Sequence, residues 1–231
     1  MGNVVMAIGA HIIDAELTSG MLLAKHAMAG DKIVTVALTA GERLSNRGGM
    51  SCEEFREMNI ASAAAFAKAL GGENFVFDVP DGELFASKEI ELKLARLMRE
   101  QKVTHVLYHW RNSRHKDHEQ ASVISRYAAY YAALKAMDID GLQPATIKRK
   151  LYAENFEDAI GYEPFYFFDV TKAFPVWKEA IMNFYAARNS SVRYVRYYEA
   201  LAMEHGNLIG TDYATTFTVD ECRRRVVQEY L

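Results

Sequence analysis

Two short polar clusters carry side chains that could do chemistry together: His11-Ile12-Ile13-Asp14 and, about a hundred residues later, His115-Lys116-Asp117-His118. Two imidazoles and one carboxylate, with a fourth position left for water, form the ligand set of a catalytic zinc site. His11, Asp14 and His118 supply that set. A divalent ion held this way lowers the pKa of its water to about 7 and polarises a carbonyl. His115 is then placed as general acid or oxyanion stabiliser, with Asp117 orienting or charging it. Each cluster also has a plain structural reading. A histidine at a strand end is ordinary, and Asp14 or Asp117 could simply cap the helix that follows. What favours the chemical reading is their matching position, since each cluster follows a strand and opens a helix.

The elements that would position them follow from hydrophobic patterning. Residues 3–10 (NVVMAIGA) and 32–39 (KIVTVALT) are short apolar runs that read as buried strands. Residues 74–79 and 104–109 read as two further strands, and in the second half 151–155 and 165–170 join them. Helical patterns cover residues 15–29, 52–70, 88–100, 117–137, 176–188 and 192–205, and 141–150 reads as a surface loop. Strands and helices alternating at this spacing predict an α/β fold, a Rossmann-like and mostly parallel sheet with helices on both faces. In such a sheet, ligands bind at the carboxyl ends of the strands. Both polar clusters fall there.

Composition narrows the class. The 231 residues are 50% hydrophobic and read as one domain over residues 1–231. A balance of 27 Lys+Arg against 30 Asp+Glu gives no basic field for nucleic acid. The two cysteines, Cys52 and Cys222, make no disulfide framework, so a reducing, cytoplasmic setting is expected. No apolar window is long enough for a membrane span. Gly9-Ala10-His11 is not a GxGxxG loop, which argues against a dinucleotide cofactor. His26, His105 and His205 fall inside elements and read as packing or surface residues, and Cys52 has no adjacent base.

The motifs in their order resemble a known family, the PIG-L/LmbE-like zinc-dependent deacetylases of N-acetylglucosamine-type substrates. The family's A-H-P-D-D-x-E corresponds to Ala10-His11-Ile12-Ile13-Asp14-Ala15-Glu16, and its H-x-D-H to His115-Lys116-Asp117-His118. Thr39-Ala40-Gly41-Glu42 matches a strand ending in T-x-G-E, and Asp169-Val170-Thr171 matches a later strand end. Gly206 and Gly210 followed by Tyr213-Ala214-Thr215-Thr216-Phe217 match a C-terminal segment. The resemblance implies a LmbE-like fold, a zinc or other divalent metal on His11, Asp14 and His118, and His115 assisting at the carbonyl oxygen or leaving amine with Asp117 as its partner. It also implies hydrolysis of a small N-acylated, sugar-like substrate, and a homo-oligomer. Glu42, Arg47, Trp110 and Arg111 are expected to line the substrate cleft.

One departure matters. The first Asp of the family's D-D pair, its water-activating base, is Ile13 here, and Thr215 replaces a Glu near the C-terminus. An isoleucine accepts no proton, and general-base assistance contributes ~10²–10⁴-fold in rate. Three readings stand open: Glu16 or Asp117 serves as base, the metal's water needs none, or the chain binds a ligand or metal without hydrolysis.

Overall fold

The computed structural model describes residues 2–155 and 160–219. Its elements are β1 (Val4–His11), α1 (Asp14–Thr18), α2 (Gly20–Met28), β2 (Lys32–Thr39), α3 (Cys52–Ala69), β3 (Glu73–Val79), α4 (Lys88–Glu100), β4 (His105–His109), α5 (Lys116–Ala133), β5 (Arg149–Ala153), β6 (Tyr166–Asp169), α6 (Phe174–Ile181), α7 (Tyr185–Asn189), α8 (Tyr194–Ile209) and β7 (Ala214–Thr218). The sheet runs β3-β2-β1-β4-β5-β7-β6. Five strands, β3 to β5, are parallel, while β7 pairs antiparallel with both β5 and β6.

Both faces of the central strands β1, β2 and β4 are buried, which is why these strands read as apolar runs. Successive side chains of a strand alternate between faces. In β1, Val5 and Ala7 pack with Leu23, Phe66 and Trp177 on one side. Met6, Ile8 and Ala10 pack with Leu94, Met98 and Ile124 on the other. The strand order reverses between β1 and β4, the place where open α/β sheets form a ligand crevice. The two polar clusters follow these two neighbouring strands, as expected from the sequence.

Two helices are shorter than their patterns. The stretch over 15–29 breaks at Ser19 into α1 and α2, and that over 176–188 becomes α6 and α7. Strand β7 lies where no strand was expected. It pairs through Ala153↔Phe217 and joins β5 to the edge strand β6. Arg99, at the end of α4, is buried and donates to the carbonyls of Tyr131, Ala132, Leu134 and Leu142. Three of these carbonyls, Tyr131, Ala132 and Leu134, lie at the C-terminal end of α5, so the guanidinium fixes the helix whose other end carries His115 and His118. Among the described residues, no helix is long and apolar enough to cross a membrane.

Candidate metal centre

At the end of β1 the chain turns sharply. Ile13 takes a left-handed conformation at φ 86°, costly for a β-branched side chain. Asp14 does not cap α1 as its type suggested, because Ile13 holds the capping position. Instead the Asp14 carboxylate turns back, and its Oδ2 accepts the His11 backbone N–H at 2.8 Å. Glu16 is 2% exposed, and its carboxylate accepts backbone N–H groups of the same turn, including that of Ile13. Burial first, and the nearby Asp14 charge, push it up to about 7.

The end of β4 completes the site. His115 caps α5, its Nδ1 accepting the Asp117 N–H at 3.2 Å. Asp117, read above as a possible cap, lies in the first turn and is fully buried. Its Oδ2 accepts the Gly82 N–H at 2.7 Å and lies 3.4 Å from His11 Nε2. His118, also buried, points Nε2 at Asp14 Oδ2 from 3.3 Å, and His11 Nδ1 approaches the same oxygen at 3.1 Å.

That spacing fits a metal. Two ligand atoms each about 2.0–2.2 Å from a tetrahedral zinc stand roughly 3.3 Å apart. His11, Asp14 and His118 form a group whose ligand atoms lie within 4.8 Å of one another. A second grouping, His11 with His115 and Asp117, meets the same distance. It is the poorer donor set, since His115 Nδ1 is already taken by a backbone N–H.

The electrostatics agree with a cation site. Burial opposes charge on Asp14, yet the His118 and His11 imidazoles beside it hold its carboxyl well below the usual carboxylate range. Burial likewise opposes charge on His11, but Asp14, Asp117 and Asp81 together raise it well above the ordinary histidine value. A carboxylate-rich pocket that stabilises a proton this strongly stabilises a divalent cation in its place. His115 is lowered, first by burial and then by the neighbouring His11 and His118.

Three participants escaped the sequence reading. His109 lies at the end of β4, buried, its Nε2 accepting the Ala10 N–H at 3.0 Å and standing 3.3 Å from Asp14 Oδ2, and its ring stacks on His118 at 4.3 Å. Asn155, just past β5, contacts His118 Nδ1 through its amide at 3.0 Å and accepts the Tyr198 hydroxyl at 3.1 Å. Asp81, in the turn after β3, places Oδ1 3.1 Å from His11 Nε2. Only His109 left a sequence signal, as a polar residue ending an apolar strand. The other two come from loops whose approach depends on tertiary packing.

A cleft of about 520 Å³ opens over the group, lined by His11, Ile13, Asp14, His115 and His118 among others. Arg43, Asn59 and Asp81 also line it, together with Asn155, Phe184, Tyr194 and Tyr198. The four residues expected to line it lie elsewhere. Glu42 is 8% exposed and accepts the Asp81 N–H at 2.8 Å. Arg47 spends its guanidinium on the carbonyls of Leu44 and Met50 in its own loop. Trp110 is sealed in the core against Tyr152 and Tyr162, with its indole N–H on Ile160 O, and Arg111 stacks over it at 4.7 Å. Glu16 and Asp117 also stay behind the cleft wall rather than in its lining.

Residues 6–129 match the family described as PIG-L, GlcNAc-PI de-N-acetylase. The chain belongs to the PIG-L family. Solved structures extend the likeness over the whole fold. The conserved protein TT1542 from Thermus thermophilus is 24% identical over 98% of each chain, with a TM-score of 0.82. GalB, the 4-carboxy-2-hydroxymuconate hydratase from Pseudomonas putida, is 21% identical over 99% of each chain, with a TM-score of 0.85. The N,N'-diacetylchitobiose deacetylase of Pyrococcus horikoshii is 20% identical, covering 94% of this PIG-L chain and 84% of its own, at a TM-score of 0.82.

Proposed function

We propose that the protein is a metal-dependent hydrolase that removes the acyl group from a small N-acylated, sugar-like substrate. The observation that carries this is the convergence of His11 Nδ1 and His118 Nε2 on Asp14 Oδ2, at 3.1 and 3.3 Å, beneath an open cleft. These three side chains would hold zinc or another divalent ion, which when bound polarises the substrate carbonyl and acidifies water. Ligation by His118 Nε2 puts the ring proton on Nδ1, where the Asn155 amide must then present its oxygen and turn its nitrogen to Tyr198. That reorientation uses the same two partners.

His115 supplies a hydrogen-bond donor. Its Nδ1 is occupied as an acceptor, so the neutral ring keeps its proton on Nε2. Burial favours that neutral form. A neutral imidazole lining the cleft can donate its Nε2–H as a hydrogen bond to the developing oxyanion, while the proton that the attacking water loses ends on the departing amine. Phe184, Tyr194 and Tyr198 offer the ring-sized apolar and hydroxyl-bearing wall that a sugar requires.

Ile13 favours a second reading, the addition of water across a polarised carbon–carbon double bond. Its side chain reaches the cleft where the family's base would stand. Hydration releases no amine, and the proton that water loses is balanced by one gained at carbon. The full-length match to a hydratase supports keeping this reading beside the first.

The test is turnover by the zinc-loaded protein on two panels, N-acetylated amino sugars and small unsaturated hydroxy acids. Amine release on the first panel, lost in His118→Ala, is the expected result. Conversion of the second panel alone would replace deacetylation by hydration. No turnover on either, with Ile13→Asp gaining deacetylation, would make the natural chain a binding protein.

A further inference from the structure

We propose that Asp81 is a positioning residue for His11, holding the ring from its far side so that Nδ1 faces the cation. This rests on the reading of the site as a metal centre. A neutral imidazole has one N–H, and the nitrogen opposite the metal must carry it. Histidine ligands usually donate that N–H to a carboxylate or carbonyl, which fixes ring tautomer and orientation. His11 Nε2 faces two carboxylates, Asp81 Oδ1 at 3.1 Å and Asp117 Oδ2 at 3.4 Å. Neither carboxylate lies head-on to that nitrogen, which is buried between the two of them. Asp81 is the closer of the pair.

The turn that carries Asp81 is built to aim it. Pro80-Asp81-Gly82-Glu83 is closed by Glu83 N–H to Pro80 O at 3.1 Å, with Gly82 at φ 81°, where only glycine fits without strain. Asp81 N–H donates to Glu42 Oε1 at 2.8 Å, and Arg43 Nη1 donates to Asp81 O at 2.7 Å. The Arg43 backbone N–H takes Oδ2 at 3.0 Å, leaving Oδ1 towards His11. The next residue of the turn, Gly82, donates its N–H to Asp117 Oδ2 at 2.7 Å, so one turn sets both carboxylates. Glu42 thereby acquires a role as well: it acts through Asp81 rather than on substrate.

The experiment compares the natural protein with Asp81→Ala and Asp81→Asn. Zinc affinity is measured by competition with a chromophoric chelator, and the His11 nitrogens by ¹⁵N spectroscopy of histidine-labelled protein, with and without zinc. Asp81→Ala is expected to weaken zinc ~10–100-fold and to shift the His11 Nε2 resonance. Asp81→Asn, which keeps the shape and an acceptor oxygen, is expected to lose less. Should the alanine variant fail to fold, the asparagine variant carries the test with a loss of ~3–10-fold. Zinc affinity within about twofold of the parent in both variants, with unmoved His11 resonances, would overturn the proposal. If the natural protein takes up no zinc, the hydrolase reading falls separately. The metal-free spectra then decide, and unmoved His11 resonances in Asp81→Ala count against Asp81.

Discussion

The floor and the far wall of the cleft are made by different parts of the chain. The floor gathers His11, Asp14, His115 and His118 from the ends of β1 and β4, all within the stretch that matches the family. Its side chains are tied to one another and to the backbone at 2.7–3.4 Å. The far wall gathers Asn155, Phe184, Ala186, Tyr194 and Tyr198 from beyond residue 129. Its residues come from the chain just past β5, from the short α7 and the residue before it, and from α8. Reaction chemistry needs fixed geometry, which a parallel sheet supplies at its switch point. Recognition varies with loops laid over that scaffold.

The largest effect expected from the floor, short of removing a ligand, is that of His115→Ala. It should lower kcat ~10²–10³-fold while zinc content stays unchanged, because the ring donates a hydrogen bond to the oxyanion without holding the ion. Zinc titration and steady-state kinetics on the same preparation check both halves of that statement. An equal loss of zinc would move His115 into the ligand set.

The smallest effect tests where wall and floor meet. Tyr198 reaches His118 through Asn155. Tyr198→Phe removes one hydrogen bond, about 1 kcal/mol, so zinc affinity should fall only severalfold. Chelator competition measures it. A loss as large as that of a ligand would make the wall part of the metal centre, and no change would separate the two regions fully.

The same division explains what the sequence disclosed. Strands β1 to β4 and the helices between them are legible, because burial on both faces leaves uninterrupted apolar runs bounded by polar turns. The His11, Asp14 and His118 convergence follows from that topology, since both motifs end neighbouring parallel strands. Asp81 is hidden because Pro-Asp-Gly is an ordinary turn, and nothing local says which way its carboxylate points. Asn155 is hidden because its place depends on the chain past β5 meeting Tyr198 of α8. Glu42 and Trp110 look available in sequence, yet the fold spends one on the Asp81 turn and the other on the core. Strand β7 escaped notice because a five-residue strand, Ala-Thr-Thr-Phe-Thr, carries too short a pattern to announce itself.

The most direct measurement is zinc stoichiometry joined to X-ray absorption at the zinc edge, in the natural protein and in His118→Ala. The account predicts about one zinc per chain bound by two imidazole nitrogens and oxygen ligands, and loss of the ion at low micromolar concentration in the variant. A protein that stays metal-free after zinc addition, or one whose zinc and coordination survive His118→Ala unchanged, would contradict it.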